Sequence, residues 1–437
     1  MKAKIMIFCL VVVLANIVAC KSGDGDLLIH TKLGDKWGYI DRNGKWVINP
    51  QFDEVDDFSD NGLAAVAIDS KWGYIDRTGK WIVQPQFDYA EMFYYKDGLA
   101  KVGYNKERNE YGIYSYNEGL IDKSGKMIVN PYQYVELRSC YENGEGGNLY
   151  VVVNSDGKSG IIDRKGNYVI EPKYDEIRGY IEKELIGFSE NGKYGFMDKS
   201  GNVIIKPQFD DIGVFDDDNN YVPVYVKDTW GYADNKGNIV IKPQFKYAWR
   251  FDKGLAQINL NDRWGYIDAT GKIVITPQYD NPFEFTDNGL AMVKMDNLYG
   301  FIDITGKIVS PMQYINARPF EDNGLAVVVM WIESDKRAVS GCIDKTGKFV
   351  ISPQYSKVLP INENLTAVET MDYKWGFADN TGLIVVVPKF DDLYTYKDII
   401  FASQEGKWGI VDEQGNFIVH PQFDEISRWE FDTFRRR

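Results

Sequence analysis

The stretch Lys36-Trp37-Gly38-Tyr39-Ile40-Asp41-Arg42-Asn43-Gly44-Lys45-Trp46-Val47-Ile48-Asn49-Pro50-Gln51-Phe52-Asp53 returns about 35 residues later as Lys71-Trp72-Gly73-Tyr74-Ile75-Asp76-Arg77-Thr78-Gly79-Lys80-Trp81-Ile82-Val83-Gln84-Pro85-Gln86-Phe87-Asp88. The central glycine recurs at Gly112, Gly160, Gly195, Gly231, Gly265, Gly300, Gly341, Gly376 and Gly409, so the chain reads as eleven tandem copies of about 35 residues each. Self-similarity at such a period marks a repeat architecture, in which each unit packs only on its neighbours. Extra residues fall around Glu107–Gly119, Ser139–Gly147 and Ile332–Ala338. They read as loops on a regular scaffold, where binding specificity often resides.

Each copy explains itself locally. Asp-x-x-Gly is present in all eleven, from Asp41 and Gly44 to Asp412 and Gly415. The aspartate accepts hydrogen bonds from N–H groups ahead of it, and the glycine supplies the positive φ that closes a type I turn with a bulge, so this is a hairpin. Trp-Gly-Tyr-Ile before it and Lys-Ile-Val-Ile after it are short runs of strand formers. The glycine beside tryptophan has no Cβ, which lets a neighbouring ring or backbone lie directly on that strand. A proline follows the second run in every copy, from Pro50 to Pro421, where it ends pairing or marks an edge. A further run such as Gly62-Leu63-Ala64-Ala65-Val66-Ala67 completes about three short strands per unit, and no stretch reads as a long helix. One unit buries a few large side chains at roughly 1.5–3 kcal/mol each, against about 1–2 kcal/mol of backbone entropy per ordered residue. Stacking on neighbours must supply the rest.

The N-terminus has a different character. Met1-Lys2-Ala3-Lys4 is a basic start to the apolar run Ile5 to Ala15, too short to span a bilayer as a resident helix. Ile17-Val18-Ala19-Cys20 resembles a bacterial lipobox, which implies cleavage after residue 19 and acylation of Cys20. The expected layout is a signal peptide over 1–19, a lipidated cysteine and polar tether over 20–27, and an all-β repeat domain over 28–437. Its end, Ile426–Phe434 followed by Arg435-Arg436-Arg437, is expected to serve as a polar cap. Beyond the signal segment only Cys140 and Cys342 remain, about five repeats apart, so no disulfide is expected.

The repeated pattern Lys-Trp-Gly-Tyr-Ile-Asp-x-x-Gly-Lys-x-Val-Ile-x-Pro-Gln-Phe-Asp resembles the WG, or KWG, repeat family over residues 36 to about 430. The resemblance implies an all-β repeat protein, often secreted or surface-linked, with no enzymatic activity attached to the repeat itself. Ser159-Gly160, Ser340-Gly341 and the interrupted Tyr111-Gly112 copy depart from the pattern, and distortion is expected there. Between an open solenoid or superhelix and a closed propeller-like toroid, the open form is expected, because propellers typically have 4–8 blades.

Chemistry is sparse. The only histidines are His30 and His420, and the second stands at a freely varied strand position. Zinc spacing, a phosphate-binding glycine loop and a nucleophile elbow are all absent from the sequence. No cofactor or enzymatic activity is therefore expected. The carboxylates of the Asp41 and Asp53 series repeat with the scaffold and read as turn or cap residues. Asp210-Asp211 with Asp216-Asp217-Asp218-Asn219-Asn220 lacks the distal glutamate of an EF-hand and reads as a solvated acidic loop, with calcium left open. A net charge of −14 disfavours nucleic acid, whose binding rests on clustered Lys and Arg. The aromatic excess, 29 Tyr, 23 Phe and 11 Trp, makes Trp37, Trp72, Trp230, Trp264, Trp375 and Trp408 a core ladder. Trp46, Trp81, Trp249 and Trp331 are the candidates for stacking on a ligand. The functional expectation is a non-catalytic binding scaffold, tethered through Cys20 in the bacterial envelope at its periplasmic or outer surface. Its partner is a protein or, alternatively, a carbohydrate such as peptidoglycan.

Overall fold

The computed structural model describes residues 27–426 apart from 94–97, 109–113, 143–144, 183, 217–219 and 322. The signal segment, Cys20, Gly112 and the arginine tail therefore lie outside the described residues.

Every regular element among the described residues is a β-strand. The strands form nine four-stranded sheets and one eight-stranded sheet that is two such units joined at an edge, which makes eleven blades. Blade 2 shows the plan, pairing Glu54–Val55, Leu63–Ile68, Lys71–Asp76 and Trp81–Phe87 antiparallel in chain order. The unit thus has four strands, one more than expected, because two residues after the Phe-Asp corner are enough to pair with the next long strand.

The hairpin between the third and fourth strands is the one expected from Asp-x-x-Gly. The Gly79 N–H donates to Asp76 O and the Asp76 N–H to Lys80 O, both at 2.9 Å. Asp76 Oδ1 takes the N–H groups of Thr78 and Lys80, and Gly79 has φ +84°. The glycine beside tryptophan is demanded by backbone: a Cβ on Gly38 would lie 2.5 Å from Ile48 O and 2.7 Å from Pro50 N. Pro50 sits inside the fourth strand, Trp46–Phe52, where the register shifts, so it does not end the strand. That strand is the sheet edge, the other position proline tolerates.

The run Leu63-Ala64-Ala65-Val66 is apolar throughout because both faces are covered. Leu63 and Ala65 pack toward blade 3, Ala64 and Val66 toward blade 1. Apolar clusters of this kind occur at each junction between successive blades around the molecule. A further one joins Phe401, Trp408 and Val419 of blade 11 to Ile29 and Ile40 of blade 1. Blade 1 takes its first strand, Glu425–Ile426, from the far end of the chain, with Thr31 opposite Ile426 and Lys32 opposite Glu425.

The ring is therefore closed, an eleven-bladed β-propeller, and the open solenoid is overturned. The usual range of blade numbers is a tally of other rings and sets no physical bound. Of the expected terminal cap only Ile426 is described, and it is 1% exposed within the seam; the rest of that segment lies outside the described residues.

Three further expectations change. In blade 3 the glycine lying on the fourth-strand backbone is Gly119, whose Cβ would meet Val129 O at 2.6 Å, so Gly112 was the wrong register. The Ser159 and Ser340 copies are undistorted, and their strands pair as the others do. The insertions mostly lengthen hairpins, as in Leu99–Arg108 with Tyr114–Asp122 and in Ala326–Ile332 with Arg337–Ile343. A third pair, Glu136–Glu142 with Glu145–Val153, reaches across to pair parallel with Glu176–Glu182 and fuses blades 4 and 5.

Candidate functional site

Surface chemistry is set by one recurring contact. The cation two residues before the central glycine meets the aspartate seventeen positions on. The pairs are Lys36–Asp53, Lys71–Asp88, Lys158–Asp175, Lys193–Asp210, Arg263–Asp280, Lys374–Asp391 and Lys407–Asp424. Several of these aspartates also accept an N–H from the hairpin of the next blade, such as Asp69 onto Asp53, Lys227 onto Asp210 and Glu405 onto Asp391. The lysine hydrogen bond, helped by that backbone donor, holds Asp53, Asp210 and Asp391 below the ordinary carboxylate range. The contact is a clamp between successive blades.

Four copies lack it, and each has lost both partners together. Their residues at the two positions are Asn117 with Tyr134, Thr229 with Lys246, Leu298 with Ile315, and Val339 with Ser356. Lys246 turns instead to Asp262 of the next blade. Ile315 is left exposed, and so are Tyr132 and Val135 near Tyr134. Beside Ser340 and Ser356 opens a notch of about 310 Å³ walled by Trp375. There the Ser356 hydroxyl donates to the buried Glu369 at 2.9 Å.

An aromatic surface lies at the Thr229 and Lys246 copy. A groove of about 560 Å³ is lined by Trp230, Tyr247, Trp249 and Trp264, with Arg250 and Glu284 at its polar positions. The first strand of blade 7, Tyr247–Asp252, runs six residues and carries a bulge between Ala248 and Phe251. A bulge re-aims side chains: Trp249 and Arg250 both point outward while Phe251 is buried. The Tyr232 hydroxyl donates to Trp249 O at 2.7 Å and holds that backbone in place. Tyr247 stacks on Trp264 with centroids 6.0 Å apart and planes 13° from parallel. Trp249 is 61% exposed.

The four tryptophans expected to meet a ligand are not brought together. Trp46 lies half-buried edge-on to Phe423, 5.6 Å across the seam, and Trp81 edge-on to Phe52 at 5.9 Å, so both fill junctions between blades. Trp331 stands exposed on the long hairpin of blade 9 and donates its indole N–H to Glu333 at 2.7 Å. Only Trp249 enters a groove. Of the expected ladder, Trp375 and Trp408 are buried, whereas Trp37, Trp72, Trp230 and Trp264 are half-buried. The deepest ring of the motif is the tyrosine after the glycine, as at Tyr39, Tyr74, Tyr232 and Tyr266. The missing sequence signal was the joint loss of the Lys and Asp positions, which marks Thr229 and Lys246.

His30 belongs to no motif in the sequence. It is buried against Trp37 and Tyr39, with Nδ1 3.4 Å from Asp57 Oδ1, and Tyr396 of blade 11 donates to Asp57 Oδ2 at 2.6 Å. Burial lowers the His30 pKa, and burial likewise pushes the neighbouring Asp56 up to about 6. Cys140 and Cys342 are free thiols buried at blade junctions, and burial pushes both up to about 12. In the acidic run Asp210 belongs to a clamp, Asp211 pairs with Arg178, and Asp216 is fully buried, while 217–219 lie outside the described residues. Among the described residues no group of three or more His, Cys, Asp or Glu is placed to hold a metal ion.

The pattern described as a WG containing repeat matches ten segments: 37–72, 72–106, 160–194, 194–229, 230–264, 264–299, 299–330, 341–375, 375–408 and 408–431. No curated protein matches. Among solved structures, one described as a eukaryotic initiation factor is 10% identical and covers 74% of this chain and 95% of its own, with a TM-score of 0.40. BamB from Moraxella catarrhalis is 11% identical and covers 74% and 97%, with a TM-score of 0.31. Hsv2p from Kluyveromyces lactis is 11% identical and covers 56% and 91%, with a TM-score of 0.30.

Proposed function

The chain belongs to the WG-repeat family, and from that premise we propose that it is a non-catalytic interaction scaffold of the bacterial cell envelope, tethered by an acylated Cys20 and engaging a partner protein. The observation that carries the reading is the paired loss of the clamp in four blades. A closed ring whose junctions are repeated and packed offers a rigid platform, and the copies freed from the clamp expose Tyr132, Val135 and Ile315 instead. Aromatic and aliphatic side chains on a rigid frame are what a protein interface uses as anchors, because little side-chain entropy is lost on docking.

The test rebuilds the clamp where it is absent. Asn117→Lys with Tyr134→Asp, and Leu298→Lys with Ile315→Asp, restore the ordinary copy and are expected to fold. Cross-linking capture from envelope extract with the full chain should lose its partner in one or both double variants. Identical capture by parent and variants would end the reading. Palmitate labelling should vanish in Cys20→Ala, and labelling that persists would remove the tether from the proposal.

A further inference from the structure

We propose that the groove between blades 6 and 8 binds a neutral sugar chain by stacking pyranose rings on Trp249, Trp264 and Tyr247. The inference rests on the reading of the ring as a binding scaffold and adds to it a ligand class and a place.

Four observations carry it. The rings are surplus to folding: Tyr247 and Trp249 stand where blade 2 has Glu54 and Asp56, and both are exposed. The groove walls are amphipathic. Among the described residues the indole N–H groups of Trp230, Trp249 and Trp264 and the Tyr247 hydroxyl have no protein partner, so each apolar face ends in a free donor. That combination suits a pyranose, which presents a C–H face ringed by hydroxyls, better than an aliphatic side chain, which could not use the donors.

The charges agree. Arg250 and Glu284 line the groove with opposite signs, and among the described residues neither forms an ion pair or side-chain hydrogen bond. Arg250 disfavours a bound cation and Glu284 a bound anion, while both can hydrogen-bond sugar hydroxyls. A net charge of −14 further disfavours acidic polymers. Finally, the groove of about 560 Å³ falls in the range of roughly 300–1,000 Å³ usual for small-ligand clefts. The floor is preset, because Tyr232 anchors the Trp249 backbone and Tyr247 is already stacked on Trp264, so little ordering is left to oppose binding.

The experiment titrates the full chain, held in a sugar-free zwitterionic detergent, with cellotetraose, chitotetraose and laminaritetraose, following tryptophan fluorescence and heat. At least one oligosaccharide should bind saturably. Trp249→Ala should weaken it about tenfold or more, Trp331→Ala should leave it unchanged, and Arg250→Ala should weaken it to a smaller degree. The sugar proposal is overturned if none of the three binds the parent protein, or if Trp249→Ala and Trp264→Ala bind as the parent does. Partner capture run alongside separates the two readings. Capture that survives with no sugar binding removes the sugar alone, whereas sugar binding with no protein capture removes the protein partner.

Discussion

The junction between blades 11 and 1 and the junction between blades 5 and 6 are built from the same parts, yet only one is crossed by a continuous chain. At the continuous junction Ile212 enters the core with Phe196 and Phe209. At the seam Ile426 occupies the matching place beside Phe423 and Ile29. The clamp is the same too, since Lys193–Asp210 takes the N–H of Lys227 and Lys407–Asp424 takes that of Gly34. The seam differs in what surrounds it: Arg42 pairs with Asp398 at 2.7 Å, and Tyr396 reaches Asp57 beside His30. Polar contacts also cross the continuous junction, where Arg178 of blade 5 pairs with Asp211 and donates to Ile212 O of blade 6, so the seam is closed with the means of an ordinary junction.

The sharpest way to break the comparison is to remove the matching isoleucine on each side. Ile426→Ala and Ile212→Ala each empty a site about 1% exposed and should each cost roughly 2–4 kcal/mol. Only Ile426→Ala should also widen the particle in small-angle scattering; equal dimensions for both would mean the terminal strand does not hold the ring.

Next in size is Asp56, whose carboxyl burial holds near pH 6 against an unfolded value of 3.8. A folded pKa raised in this way contributes stability that is full below about pH 4 and lost as pH rises through 6. At neutral pH the fold therefore carries a penalty of order 2–3 kcal/mol. Asp56→Asn should raise the melting temperature at pH 7.5 and leave it little changed at pH 4. His30, lowered by burial, acts in the opposite sense below pH 6.5, so the difference between parent and variant isolates Asp56. A variant no more stable at pH 7.5 would refute the assignment.

Tyr396→Phe should cost about 1–2 kcal/mol, because it removes the hydroxyl that serves the buried Asp57. Tyr266→Phe, which removes a repeated hydrogen bond to Phe283 O, should cost about 1 kcal/mol in chemical denaturation. A smaller loss for Tyr396→Phe would show that the seam contact is ornamental. The least effect is expected from Lys407→Ala and Lys374→Ala. Their aspartates are open to water, and exposed pairs contribute little. A larger drop for Lys407→Ala in the same melts would show that the seam depends on its clamp.

The candidate site was partly legible. Trp249 could be picked out because it stands outside the repeated positions, and the bulge beneath it follows from no local signal. Trp230 and Trp264 were assigned to the core because they belong to the motif. Their half-burial is shared by Trp37 and Trp72, whose copies keep the clamp, and the groove that Trp230 and Trp264 line is completed by residues of neighbouring blades, which are invisible within one copy. Trp46 and Trp81 looked free for the opposite reason, since the rings they meet, Phe423 and Phe52, lie on the preceding blade.

Local chemistry determined the unit. Asp-x-x-Gly must turn, Gly38 must admit the backbone of Ile48, and the Leu63 run must be covered on both faces, and each of these demands is settled within a few residues. Tertiary structure alone decided that the array closes. Each junction adds the same rotation, and whether eleven rotations return to the start depends on angles that no single copy specifies. The answer lies in two residues, Glu425 and Ile426, pairing with Lys32 and Thr31 at the other end of the chain.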